Sequence, residues 1–330
     1  MDVFDEDAQM KAVVEKQIEA ILPRGKKPFE VYGIIWDFLD RGGKRFRPLM
    51  CMTACEAVGG NPKNAIAVAA SIELFHNFTL VHDDIEDNSQ MRRGKPCLHV
   101  SYGLPLALNA GDGLFMASWK SILESPISPQ QAVEVGKCLY DAYLAVLEGQ
   151  AVELNWHENN IWGITLDGYK SMVRGKTGAL IGGACKAGAI IGGSDANVQA
   201  ALWEFGNEVG VAFQIQDDIL NVTGDFKKYK KEIGGDIVEG KRTVMVIDLL
   251  TKCTKAEAAK CRTILGNKKT TKAQVEYVIG LMKKYDSISY AASYADGLLK
   301  SAKERLAVLP DNKASKKLRK LADFLVDREV

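Results

Sequence analysis

Asp83, Asp84 and Asp87, in LVHDDIED, and Asp217 and Asp218, in FQIQDD, stand in otherwise apolar stretches that include Phe78, Leu80, Val81, Phe213 and Ile215. Burying several carboxylates in an apolar wall is costly unless cations neutralise them. At helical spacing Asp83 and Asp87 are i and i+4 and share one face. Oxygen-only ligands so placed suit a hard cation such as Mg²⁺, which keeps several waters and bridges to phosphate oxygens. The chemistry this predicts is the gripping of a diphosphate through metal ions.

Cations accompany both clusters. Arg92 and Arg93, in MRRGKP, follow Asp87 in a turn-like segment; a guanidinium fork matches phosphate geometry. A second basic group, RGGKRFRP, holds Lys44, Arg45 and Arg47, with Gly42 and Gly43 allowing close backbone approach to an anion. After the second acidic cluster, KEIGGDIVEGKRT mixes Lys231, Asp236, Lys241 and Arg242 with Gly234, Gly235 and Gly240. Lys176, in RGKTGAL, opens an apolar helix face, and His76 lies about two turns before Asp83. Each has a bland reading: arginines that merely neutralise aspartates, a solvated basic helix entry, a snorkelling lysine, a satisfied core histidine. His82, His99 and His157 have no metal-ligand spacing with one another, which argues against a zinc site.

These residues need helices to position them. Period-two alternation is scarce and i, i+3, i+4 periodicity is widespread. Helices are predicted over 12–21, 31–39, 49–58, 65–85, 106–123, 131–156, 166–191, 197–220, 243–250, 256–265, 272–284, 288–306 and 314–326. Prolines punctuate the chain before residue 130, and none lies between 130 and 309. The Gly/Ala-rich stretch 179–193 suits close helix approach. With no long linker and no repeat, the economical reading is one all-α domain over 1–330.

Composition narrows the class. Hydrophobic residues at 47% and charged residues at 26% fit a globular protein with a large core. A formal charge of +1 argues against a general nucleic-acid binder. Seven cysteines form no C-x-x-C pair, and Cys51 and Cys55 read as core residues. The acidic start MDVFDEDAQM argues against a transit peptide. The longest apolar stretch, 65–81, is broken by Ser71, Glu73, His76 and Asn77, so it reads as a buried helix with no membrane span. A reduced, soluble, cytoplasmic protein is expected.

Together the residues resemble the trans-prenyltransferases, short-chain isoprenyl diphosphate synthases of the farnesyl and geranylgeranyl type. The resemblance covers most of the chain and rests on ordered markers: GGKRFRP, DDIED with RRGKP, GD at 111–112, GQ at 149–150, KT at 176–177, FQIQDD, and KEIGGD…EGKRT. It implies an all-α isoprenoid-synthase-type bundle with a central active-site cavity, most often a homodimer. It also implies Asp83, Asp87 and Asp217 as Mg²⁺ ligands, with Asp84 and Asp218 in support. Arg92, Lys176, Lys231 and Lys241 resemble the cationic contacts of the allylic diphosphate. Lys44, Arg47, His76 and Arg93 resemble the isopentenyl diphosphate site. Thr177 and Gln214 resemble the residues whose oxygens face the developing allyl cation. The implied reaction is condensation of isopentenyl diphosphate with dimethylallyl, geranyl or farnesyl diphosphate.

One position departs from the pattern: Asn221, in DDILN, stands where the family often has Asp. It brings no charge, and Asp225 is a possible substitute. For product length, Phe78 lies about 7.5 Å and Phe75 about 12 Å down the helix from Asp83. Thr79 is small and the first motif has no insertion, a pattern that resembles archaeal-type geranylgeranyl synthases and implies a C20 product. C15 or a mixture is the alternative, because Phe115 and Trp119 could shorten the channel. Against a class I terpene cyclase, DDILN at 217–221 does not match the second motif typical of cyclases. A non-catalytic regulatory partner would be expected to lose the aspartates.

Overall fold

The computed structural model describes residues 3–224, 234–267 and 269–326, with side chains from residue 8. In chain order the helices are α1 Val3–Ile21, α2 Phe29–Leu39, α3 Phe46–Ala57, α4 Ile66–Glu86, α5 Leu98–Tyr102 and α6 Leu104–Leu123. There follow α7 Pro129–Glu158, α8 Leu166–Val173, α9 Ala179–Ile191, α10 Ala196–Thr223 and α11 Gly235–Glu239. α12 Val244–Lys252, α13 Lys255–Ile264, α14 Lys272–Lys284, α15 Ser287–Arg305 and α16 Lys313–Val326 complete the order. Among the described residues the sheet content is one short antiparallel pair, β1 Met91–Arg92 and β2 Lys95–Pro96. The fold is all-α, as expected.

The chain divides into two compact units. The first comprises 1–143, 183–203 and 309–318. Its axis is α4, which packs chiefly on α6, α3 and α1. Ile72, Leu74 and Phe75 of α4 are fully buried, each stabilising by about 1.5–3 kcal/mol. Small residues let neighbours come close, and Ser121 of α6 donates to the Ala67 carbonyl of α4 at 2.7 Å. Pro62–Glu86 is long and apolar enough to cross a membrane, but 72% of its most apolar window is buried, as in a core helix. Close approach explains the small residues at 179–193: a Cβ at Gly188 would strike the Cys51 carbonyl of α3.

The second unit comprises 144–182, 204–308 and 319–330. There α12 packs on α15. Thr254 with Glu257, and Thr271 with Gln274, form capping boxes that start α13 and α14. The single helix expected over 166–191 is interrupted: Arg174–Gly178 is a π turn between α8 and α9. Crowding accounts for it. A Cβ on Gly149 would meet the backbone of residues 172–176, and one on Gly178 would come within 2.9 Å of the Asn207 carbonyl. π turns of this kind recur at functional sites.

Candidate active site

In the first unit the end of α4 presents the first acidic cluster. Asp87 caps the helix, and its N–H still bonds the Asp83 carbonyl at 2.9 Å, so the two carboxylates stand one turn apart. Asp83 is half-buried and Asp87 exposed. Asp84 is turned inward, 1% exposed, and accepts from Arg92 Nε at 2.5 Å. Burial raises its pKa, and the charge and hydrogen bond of Arg92 oppose that rise. Among the described residues no three His, Cys, Asp or Glu side chains gather as a metal cage. Two accessible, acceptor-only carboxylates on one face fit the mode in which a hard divalent cation is held by one or two carboxylates plus substrate phosphate.

Arg92 is delivered by β1. The hairpin β1–β2 turns through Arg93 and Gly94, with φ of 52° and 77°, the two positive values a type I′ turn requires. That turn sends the Arg93 guanidinium to the Gly42 carbonyl. Arg47 Nη1 meets His76 Nε2 at 3.2 Å. Because arginine only donates, His76 accepts through Nε2 and carries its proton on Nδ1. Burial, then the charges of Arg47, Arg93, Arg92 and Arg45, hold His76 well below the usual histidine range. Arg47 itself is lowered to about 10 by burial. Thus the structure joins Arg47, His76 and Arg93 in one cationic neighbourhood; Lys44 stands exposed in the same turn.

Below the aspartates lies an aromatic cluster. Phe75 stacks on Tyr143 with ring centres 3.6 Å apart and planes 2° apart. Phe78 touches Phe75 at 5.3 Å and Phe115 at 5.3 Å, and Trp119 meets Tyr143 edge-on at 5.9 Å. Thr79 spends its hydroxyl on the His76 carbonyl at 2.8 Å. Sequence reasoning did not find Tyr143, since one aromatic in a long helix carries no signal.

In the second unit the π turn holds Lys176 and Thr177. Lys176 is ion-paired with Glu153 of α7. Burial pushes Glu153 up, but Lys176, aided by Lys241 and His157, brings its pKa below the ordinary value. Thr177 donates to Gln214 Oε1 at 3.1 Å, and Gln214 Nε2 donates to Asp218 Oδ1 at 2.9 Å. The Tyr169 hydroxyl donates to Asp218 Oδ2 at 3.1 Å. Burial, then the neighbouring Asp236 charge, drives the Asp218 carboxyl far above the carboxylate range. Asp217, adjacent, is half-buried.

Lys241 bonds Asp236 at 2.8 Å and Glu239 at 2.9 Å. Burial lowers the pKa of Lys241, but those carboxylates outweigh it and the ammonium stays charged. Asn221 anchors the next element. Its Oδ1 accepts from the Asp236 N–H at 3.1 Å, and its carbonyl accepts from the Gly234 N–H at 2.7 Å. It ties the start of α11 without adding a carboxylate beside Asp218 and Asp236. Lys231 and Asp225 lie outside the described residues. Glu153 and Tyr169 were not found from sequence. Glu153 lies just beyond the GQ marker, whereas Tyr169 has no local signal.

Each unit thus carries a helix with adjacent aspartates and cations nearby, within an all-α fold. The chain belongs to the Polyprenyl synthetase family, whose profile matches residues 29–282. It is 39% identical over 88% of its length to the short chain isoprenyl diphosphate synthase of Methanothermobacter thermautotrophicus, covering 88% of that protein. It superposes on the geranylgeranyl pyrophosphate synthetase of Pyrococcus horikoshii with a TM-score of 0.92 at 38% identity, covering 99% of this chain and 100% of that one. The polyprenyl synthase of Caulobacter crescentus, complexed with calcium and isoprenyl diphosphate, matches with a TM-score of 0.89 at 27% identity, covering 99% and 97%.

Proposed function

We propose that the protein condenses isopentenyl diphosphate head-to-tail with an allylic diphosphate, in the presence of Mg²⁺, to give chiefly the C20 product geranylgeranyl diphosphate. The observation that carries this reading is on α4. His76, in contact with Arg47, and Asp83 lie about 10.5 Å apart along one helix, so two anionic groups can be held side by side. Asp83, Asp87 and Asp217 would hold the divalent cation, whose positive charge favours departure of diphosphate from the allylic carbon. Arg92, Lys176, Lys231 and Lys241 complement that leaving charge.

The C1–O bond of the allylic substrate breaks. The double bond of isopentenyl diphosphate then attacks C1, and a proton passes to the released diphosphate. Thr177 and Gln214 turn their oxygens to the allylic cation, and Asp84 and Asp218 hold Arg92 and Gln214 in place. Lys44, Arg47, His76 and Arg93 bind isopentenyl diphosphate. The apolar wall keeps water from the cation. The chain end runs past Thr79 toward Phe78 and the Phe75–Tyr143 stack, which ends the channel. The contact of Phe78 with Phe115 favours a second reading, C15 or mixed product.

The protein would work as one functional domain, a cytoplasmic homodimer. The exposed apolar side chains Leu104, Leu108, Met116 and Leu123 of α6, with Val133 and Tyr140 of α7, support association with a second copy. The test is incubation with labelled isopentenyl diphosphate, each allylic primer and Mg²⁺, against an EDTA control, with chain-length analysis of the products. Mg²⁺-dependent C20 is expected. A C15 end point would overturn the length, and no incorporation would overturn the reaction.

A further inference from the structure

Arg45 sits between Lys44 and Arg47 of the isopentenyl diphosphate site proposed above, and its guanidinium is buried against α4. It is 5% exposed, and its backbone is left-handed, with φ 51° and ψ 36°. That conformation is unfavourable for a side chain with a Cβ and persists only where the surroundings impose it. Here Arg45 Nη1 donates to Glu73 Oε1 at 2.8 Å, and Nη2 reaches the Leu39 carbonyl at 3.4 Å. Glu15 lies 3.6 Å from Nε. Glu73 is 2% exposed and is itself held by Asn77, whose Nδ2 donates to Glu73 Oε1 at 3.0 Å and to its carbonyl at 2.7 Å. A Cβ at Gly43 would come within 2.9 Å of Arg45 Nη1 and 3.1 Å of Arg93 Nη2. Two guanidiniums therefore lie against one backbone turn.

Resting on the function proposed above, we infer that Glu73 and Arg45 are positioning residues for isopentenyl diphosphate. The 42–47 turn docks on α4 through two rungs one helical turn apart, Arg45 on Glu73 and Arg47 on His76. Glu73 is the buried counter-ion that lets Arg45, Arg47 and Arg93 share one neighbourhood without substrate. Without that rung the turn loses its register on α4, and Lys44 and Arg47 lose their placement for the diphosphate.

The test compares Glu73→Gln with the double variant Arg45→Met/Glu73→Leu, which removes both members of the buried pair together. Both should raise KM and the calorimetric Kd for isopentenyl diphosphate about tenfold, the loss of a charge-assisted contact. KM for dimethylallyl diphosphate should change less than about twofold in each. Thermal melts of both variants report whether the fold is kept. Wild-type affinity in a well-folded double variant would reduce the pair to a fold-stabilising role and overturn the inference. An equal rise for both substrates would do the same. A folded wild-type chain that binds no isopentenyl diphosphate would instead overturn the proposed function, and the pair's role with it.

Discussion

At the end of α4, Asp83 and Asp87 are accessible and their neighbour Asp84 is bonded directly to Arg92. In α10, Asp218 is sunk among Tyr169 and Gln214, while Lys176 is paired with Glu153 and Lys241 with Asp236 and Glu239. The first cluster thus pairs its inward carboxylate with a guanidinium, and the second hydrogen-bonds its own to neutral side chains. The contrast teaches that one motif type, adjacent aspartates on a helix, can be stabilised in two ways. A guanidinium beside Asp84 opposes the rise that burial causes, whereas Asp218, beside a further carboxylate, is driven far up.

The comparison can be broken first at the accessible carboxylates. Asp83→Asn should lower kcat/KM for condensation by about 10²–10³-fold, as for loss of one group stabilising developing charge. Asp84→Asn keeps an acceptor for Arg92 and should cost less. Steady-state kinetics on both variants would show the order, and equal losses would erase the distinction between displayed and buried carboxylates. The next largest effect belongs to the second unit. Lys176→Met should lower kcat/KM for the allylic substrate about ten- to hundredfold, the worth of a hydrogen bond to a charged group. Glu153→Gln, which only releases Lys176 from its partner, should change it less.

Stability sharpens the contrast. Tyr169→Phe leaves Asp218 Oδ2 without its donor and should cost about 1–3 kcal/mol, a drop in Tm of roughly 2–8 °C. In the first unit Ser71→Ala removes a hydroxyl 3.1 Å from Tyr143 and should cost only about 0.5–1.5 kcal/mol. Thermal melts of both check the ranking.

The smallest effect is in pH. His76 is held below its unfolded value by burial and four arginines, so the unfolded chain binds the extra proton first. The stability that His76 contributes is therefore full above about pH 6.5 and declines as pH falls toward its folded value. His76→Gln should flatten the slope of Tm against pH between about 6.5 and 5. An unchanged slope would mean that the Arg47 contact does not set the protonation of this histidine.

Much of the fold is legible in the residues themselves. The helix expected over 272–284 has those bounds in the structure, and 65–85, 131–156 and 197–220 fall within a few residues of α4, α7 and α10. The start signals are local ones: Thr271 caps the helix at 272–284, Asp195 caps α10, and Pro129 opens α7. The π turn is not legible, because its cause is the close approach of Gly149 in α7 and Asn207 in α10 to residues 172–178. Nor is the hairpin at 91–96, where a non-glycine residue, Arg93, takes the left-handed position. Among the site residues, those with a charge and a fixed spacing stand out in the sequence: the aspartates, Arg92, Arg93, Arg47 and Lys176. Tyr143, Glu153 and Tyr169 do not, since nothing at short range distinguishes a stacking tyrosine or a counter-ion from ordinary helix content.

By itself the sequence determined the all-α class, the two acidic clusters and the cations beside them, because helix period and charge spacing are local properties. Tertiary structure alone decided which charges meet. Arg45 and Arg47 are two residues apart, yet Arg45 goes to Glu73 and Arg47 to His76. Asp217 and Asp218 are adjacent, yet one is half-buried and the other sealed under Tyr169. Burial and partnership depend on residues remote in the chain, and these set the pKa, the neutral form of His76 and the stack of Phe75 on Tyr143.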